Sequence, residues 1–204
     1  KTEPGHPEAL NLLGVLLLQA DRAGEAAQIL ERAAAAEPDN AETVYNMGLA
    51  QLQCGRLEDA CSAFEKAVAL KPDFAAAANN LGNVLAMTER LEDAIGHYRR
   101  ALEIDPNNVR AHYNLATTLS KQGNLPAAVE GLRTVIGIAP DHTDAYNNLG
   151  LAFHGLARLE EAVDSYRKAL TLKPDYPEVH NNLGNTLIDS GQLNEAVSSF
   201  HKAL

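Results

Sequence analysis

The side chains with the most evident chemistry in this sequence are amides that return at a fixed interval. Asn46, Asn80, Asn114, Asn148 and Asn182 follow one another every 34 residues, with Leu12 at the head of the series. A primary amide carries both a donor and an acceptor, the combination that pairs with a peptide group of an extended chain whatever that chain's side chains are. Asparagine is a mediocre mid-helix residue, because its side chain competes for backbone groups, so five uses at one place ask for a reason. The chemistry in prospect is recognition. The same amides have a second use, compatible with the first: bonding to neighbouring helices, since a buried amide must find a partner.

The interval is set by prolines. Pro4, Pro38, Pro72, Pro106, Pro140 and Pro174 recur without insertion or deletion, and counting columns from the third residue after each gives units 7–40, 41–74, 75–108, 109–142, 143–176 and 177–204, with 1–6 as the tail of a preceding unit. The amide series is column 6. Column 5 reads Asn11, Tyr45, Asn79, Tyr113, Asn147 and Asn181, and column 2 reads Glu8, Glu42, Ala76, Arg110, Asp144 and Glu178. Columns 2, 5 and 9 share a helical face with column 6 through i, i+3 and i+4 adjacency. That face is polar, spotted with tyrosine and mostly acidic. Tyr45 and Tyr113 are either contact anchors of large area and low entropic cost or plain packing residues. If first helices stack about 10 Å apart, each unit spans about three residues of an extended ligand, and five rungs hold about a dozen.

Other chemistry is absent. His112 and His180 share column 4 but lie two units apart, about 20 Å on the same stacking distance, so one ion cannot join them. His6 and His142 fall in turns, and His97, His154 and His201 are scattered. No metal site or cofactor is expected. Nothing resembles a phosphate-cradling loop or an activated nucleophile, so the chain is not expected to be an enzyme. Cys54 and Cys61 are too few for a disulfide framework, and Cys61 shares its column with Ile95, Val129, Val163 and Val197, which predicts a small buried hydrophobe.

The elements that must position the amides are helices. Column 20 is alanine in every unit, from Ala26 to Ala196, and column 8 is Gly14, Gly48, Gly82, Ala116, Gly150 and Gly184. Glycine inside a helix costs about 1 kcal/mol against alanine, so its return at one column predicts a close approach of two helices. Apolar residues at columns 7 and 11, then at 17, 20, 24, 27 and 28, line one face of each of two helices, with a short polar turn such as Cys54-Gly55-Arg56 between them. Asp39 with Glu42, and Asp175 with Glu178, have the spacing of capping boxes, and Pro7 and Pro177 suit the first turn of a helix. Glu58-Asp59, Glu92-Asp93 and Glu160-Glu161 open second helices, while Arg99-Arg100 and Arg167-Lys168 lie near their ends, the order that suits a solvated face and the helix dipole. A pair of this length cannot bury its apolar stripe alone, so successive pairs must stack into one elongated, curved array.

A formal charge of -10 argues against a nucleic-acid binder, which needs a basic stripe to neutralise phosphates, and against docking on anionic lipid. No apolar run approaches the roughly 20 residues of a membrane span, and no leader is visible. A cytoplasmic, reducing location is expected.

Leu at column 7, Gly at 8, Ala at 20, an aromatic or Leu at 24, Ala at 27 and Pro at 32 together resemble the tetratricopeptide repeat over the whole chain. That resemblance implies an all-α, right-handed solenoid of six helix-turn-helix units working as a protein-binding module. Ala116 and Val135 depart from it, as do Leu10, Val44, Ala78, His112 and His180 at column 4, where only Tyr146 is aromatic. The segments Asn79-Asn80-Leu81-Gly82-Asn83, Asn147-Asn148-Leu149-Gly150 and Asn181-Asn182-Leu183-Gly184-Asn185 are similar to the repeats of O-linked N-acetylglucosamine transferases, which line the inside of their superhelix with asparagine. The expected site is then Asn46, Asn80, Asn114, Asn148 and Asn182, with Asn79, Asn147, Asn181, Tyr45, Tyr113 and Arg110 beside them, facing a protein or peptide ligand. The attached function is either a substrate-binding arm of such a transferase or a free-standing scaffold. Arg110, Asn114 and Asn148 also match part of the clamp by which some relatives hold a ligand carboxylate, but Glu178 and Asn182 replace its second basic pair and would repel one. Val197, Phe200 and Leu204 on a final helix without a polar cap predict end-to-end self-association.

Overall fold

Twelve α-helices and no strands make up the described residues, 6–204, of the computed structural model; Pro4 and the rest of 1–5 lie outside them. The helices are α1 (Pro7–Gln19), α2 (Ala23–Ala36), α3 (Ala41–Gln53), α4 (Leu57–Leu70), α5 (Ala75–Met87) and α6 (Leu91–Ile104), followed by α7 (Val109–Lys121), α8 (Leu125–Ile138), α9 (Thr143–Gly155), α10 (Leu159–Leu172), α11 (Pro177–Asp189) and α12 (Leu193–Ala203). Odd-numbered helices are the first of each pair. Contacts gather into two units, Lys1–Pro106 and Asn107–Leu204. Within each, every helix packs on the next in sequence, and the first helices of successive pairs meet, α1 on α3, α7 on α9 and α9 on α11.

Column 15 ends each first helix. Asp21, Gly55, Glu89, Gly123, Ala157 and Gly191 all adopt left-handed φ between 56° and 87°. The residue after them donates its N–H five residues back, as in Arg56 to the Gln51 carbonyl at 2.9 Å, which closes the helix end with its carbonyls bonded. Only glycine takes this conformation without a Cβ penalty, so Ala157 and Glu89 hold it against their preference.

Neither expected capping box forms. The first helix begins at column 1, which puts the cap at column 34: Asn40, not Asp39, accepts from Glu42 N and Thr43 N, and Tyr176, not Asp175, precedes α11 without a side-chain cap bond. Pro7 and Pro177 do stand in the first turn, joined by Pro126 in α8. Second helices start in two ways. Arg22, Arg90 and Arg158 pair with Glu25, Asp93 and Glu161 three residues on, whereas Asn124 caps Ala127 N directly and Ala127 replaces the acid. These pairs are solvent-exposed, which places the charge runs on a hydrated face where water and salt screen each bridge and it adds little to stability.

The glycine column is where the helices of a pair touch. A Cβ on Gly48, Gly82, Gly150 or Gly184 would lie 2.5 to 2.8 Å from the ring of Phe64, Tyr98, Tyr166 or Phe200 at column 24. The fourth unit moves the gap: Ala116 stands in the glycine column and Gly131, one residue before Leu132 of column 24, makes room for its methyl, since a Cβ on Gly131 would lie 2.9 Å from Ala116 Cβ. The alanine column is fully enclosed, Ala26, Ala60, Ala94, Ala128 and Ala162 each being 0% exposed. In the Asn107–Leu204 unit the core runs through Val129, Leu132, Leu149, Phe153, Tyr166, Leu183 and Leu187.

One core position is at odds with its column. Column 11 holds Leu17, Leu85, Leu119, Phe153 and Leu187, but Gln51 in the second unit, buried with its Oε1 unbonded. Gln51→Leu is expected to stabilise the protein by about 1–2 kcal/mol, because it removes an unsatisfied acceptor and buries apolar surface. A midpoint of chemical denaturation that fails to rise would contradict this.

Cys54 is exposed and Cys61 only half-buried, less enclosed than its column predicts, with Sγ 3.7 Å from Glu65 Oε1. Burial, then the Glu65 charge, pushes the Cys61 thiol above its usual range, so it is not an activated nucleophile.

Candidate functional site

Column 6 lies on the first helices, half-buried at Asn46, Asn80, Asn114, Asn148 and Asn182, and exposed at Leu12. The structure ties four of these amides to column 5 of the preceding repeat, always 35 residues back. Asn46 Nδ2 donates to Asn11 Oδ1 at 3.0 Å, Asn80 to the Tyr45 hydroxyl at 3.0 Å, Asn148 to the Tyr113 hydroxyl at 2.8 Å, and Asn182 to Asn147 Oδ1 at 3.1 Å. Columns 5 and 6 are therefore rungs between neighbouring first helices, and tyrosine and asparagine at column 5 are interchangeable because each supplies an acceptor there.

The rungs leave capacity over. The Oδ1 atoms of Asn46, Asn148 and Asn182 accept no bond among the described residues. Asn80 differs, its Oδ1 accepting from Asn79 and Asn83 at 3.4 Å. Of the other expected residues, Asn79 and Asn147 are buried, the latter within the Asn182 rung, whereas Asn181 and Arg110 are exposed. Tyr45 and Tyr113 are half-buried, and each packs on the residue that closes its own repeat, Tyr45 on Phe74 and Tyr113 on His142, both at 4.8 Å between ring centroids. Burial first, then the Asp144 charge, raises the Tyr113 phenol above its usual range and keeps it protonated.

Column 34 was the part of this face that the amide pattern did not reveal. It reads Asn40, Phe74, Asn108, His142 and Tyr176, and it either caps the next first helix or presents a ring. Asn40, Asn108 and His142 cap, the last through Nδ1 accepting from Ala145 N at 3.2 Å. Phe74 and Tyr176 instead carry a lysine over the ring, Lys71 at 5.0 Å and Lys173 at 4.2 Å, a cation–π contact in each case. The aromatics at 74 and 176, each three residues after a lysine, were the available signal.

Val197 on α12 and Leu204 just after it are exposed as expected, but Phe200 is half-buried because its ring fills the space beside Gly184. Among the described residues, His, Cys, Asp and Glu side chains gather nowhere in a group of three that could hold a metal ion, and no helix is long and apolar enough to cross a membrane.

Stacked helix pairs, four of them with a glycine-to-ring contact, and polar rungs joining their first helices, define a helical-repeat protein. Family models described as tetratricopeptide repeat match residues 1–41 and 45–109, 85–150, and 142–173 with 181–204, and a model described as TPR repeat matches 158–191. The chain belongs to the tetratricopeptide-repeat family, whose members mediate protein–protein interactions. Among solved structures it is similar to MamA from Desulfovibrio magneticus RS-1, at 25% identity over 80% of this chain and 92% of that one, with a TM-score of 0.76. The same fold is shared with pilF of Pseudomonas aeruginosa, at 17% identity over 95% of this chain and 88% of that one and a TM-score of 0.82. It is shared too with YrrB, described as a TPR protein with an unusual peptide-binding site, at 22% identity over 87% and 91% of the two chains and a TM-score of 0.73. No curated protein matches.

Proposed function

We propose that this chain binds an extended polypeptide along the face made by its first helices, with the column-6 amides as the repeated point of contact. The observation that carries the reading is the state of those amides. Each rung holds its asparagine in place through one N–H, while the Oδ1 atoms of Asn46, Asn148 and Asn182 stay unbonded on half-exposed side chains. A preorganised acceptor at three of the five column-6 asparagines suits the N–H groups of an extended chain, and holding it in advance lowers the ordering cost of binding. A photo-crosslinking group on an extended peptide is expected to label α3, α5, α7, α9 and α11. Labels confined to the second helices would overturn the proposal.

A finer reading makes the chain the substrate-binding arm of a transferase that adds O-linked N-acetylglucosamine. It is favoured by Asn79-Asn80-Leu81-Gly82-Asn83 and its counterparts at 147–150 and 181–185. The competing reading is a free-standing scaffold. The coding sequence downstream of Leu204 separates them: a glycosyltransferase domain supports the first, and its absence removes it.

A further inference from the structure

The chemistry of the bound polypeptide follows from the direction of the hydrogen bonds on α9 and α11, given the docking face proposed above. A carboxylate only accepts, so Asn147 turns its Nδ2 towards Glu178 Oε1, at 3.4 Å. Its Oδ1 is then the atom that meets Asn182, whose Nδ2 donates to it at 3.1 Å. The relay runs one way, from Asn182 through Asn147 to Glu178, and it leaves the Asn182 carbonyl oxygen without a donor. Tyr176 likewise donates its hydroxyl to Asp144 Oδ1 at 2.8 Å. What remains unbonded here among the described residues is a set of acceptors: the second oxygens of Asp144 and Glu178, and the Oδ1 atoms of Asn148 and Asn182.

Charge points the same way. Asp144 and Glu178 are exposed and have no basic partner among the described residues. The hydrogen bond to Asp144, with burial and the nearby carboxylates, pushes the Tyr176 phenol up to about 12. A cation already settles against this surface, the Lys173 ammonium over the Tyr176 ring at 4.2 Å. Arg110 stands at the same column one repeat earlier, on α7, exposed and without an ion pair among the described residues.

We propose that the α9–α11 part of the first-helix face docks an extended polypeptide segment bearing lysine or arginine, whose donors meet Asp144, Glu178 and the Asn182 carbonyl oxygen. Arginine suits the place best, because its five N–H groups match several fixed acceptors at once. Column 2 advances by one repeat per about three ligand residues, so two basic residues about three apart fit Asp144 and Glu178, and Arg110 disfavours a third cation beyond them. Between the first two repeats lies a groove of about 460 Å³ lined by His6, Glu8, Asn11, Glu37, Asn40 and Glu42.

The test uses the whole chain and three labelled peptides of about a dozen residues, alike except for two central positions that are arginine, glutamine or glutamate, read by fluorescence anisotropy. The arginine peptide is expected to bind about tenfold more tightly than the glutamine peptide at low salt, with the difference shrinking at high salt. Asp144→Asn with Glu178→Gln keeps an acceptor for Tyr176 and for Asn147 while removing both charges. That variant is expected to lose the arginine preference and to bind the glutamine peptide as before. Equal binding of the arginine and glutamine peptides, tightest binding of the glutamate peptide, or an arginine preference that survives in the double variant would overturn the inference, and the underlying docking face stands as long as the glutamine peptide binds. If none of the three peptides binds, that face fails and this inference falls with it.

Discussion

Replacing Gly150 by alanine is expected to destabilise the Asn107–Leu204 unit by about 2 kcal/mol, although alanine is the better helix former by about 1 kcal/mol. The new Cβ would lie 2.5 Å from Cε1, 2.7 Å from Cζ and 2.8 Å from Cδ1 of Tyr166. That ring is 1% exposed, packed among residues of α9, α10 and α11, and has no free space into which to withdraw. Overpacking of this kind forces a rotamer change or a helix shift, so a fall of several degrees in the melting temperature is the expected readout. A variant that melts with the wild type would show that α9 and α10 part easily.

The fourth unit supplies the control, because there the same contact is built with the gap on the other helix. Gly131→Ala brings two methyl groups to 2.9 Å, and Ala116→Gly on top of it recreates the arrangement of Gly48 beside Ala63, where a Cβ on the glycine would lie 3.2 Å from the alanine methyl. The single change is expected to destabilise and the pair to restore, with a coupling of about 1–2 kcal/mol in a double-mutant cycle. Additive effects would contradict the exchange of space between the two columns.

The second large effect concerns binding. Asn46→Ala, Asn148→Ala and Asn182→Ala combined are expected to weaken binding of an extended peptide by roughly a hundredfold, at about 1 kcal/mol for each hydrogen bond lost. Because these three amides also hold Asn11, Tyr113 and Asn147, the same variant is expected to melt somewhat earlier, by the smaller value of bonds that are partly open to water. Tyr45→Phe with Tyr113→Phe separates the two roles. It removes the acceptor from the Asn80 and Asn148 rungs and leaves the amides, so it should lower stability with little of the binding loss. If the phenylalanine pair abolishes binding as fully as the alanine triple does, the rungs hold the array together and the amides do not touch ligand.

The cap at α3 shows where reading along the chain reaches its limit. Asp39 has capping-box spacing to Glu42, yet the helix begins one residue later and Asn40 takes the cap. Which of two adjacent polar residues serves depends on the angle at which the chain enters the helix, and that angle is set by the packing of α3 on α2 and α4. Cys61 and Phe200 differ from expectation for a related reason: a column predicts which face a residue occupies, and its neighbours decide how much of that face is covered.

The sequence by itself determined the period, the helix pairs, the family and the columns that must be small. Those features arise from steric and hydrophobic rules that act within one repeat and recur every 34 residues, so each of them is written several times over. It also placed the amides on one helical face. Only the tertiary structure decided what each amide bonds to, because the partner of Asn182 is 35 residues away in Asn147 and becomes a neighbour only when α11 packs beside α9. Glu178 then sets the sense of that relay, since a carboxylate can only accept, and the acceptors left over on α9 and α11 exist through that constraint.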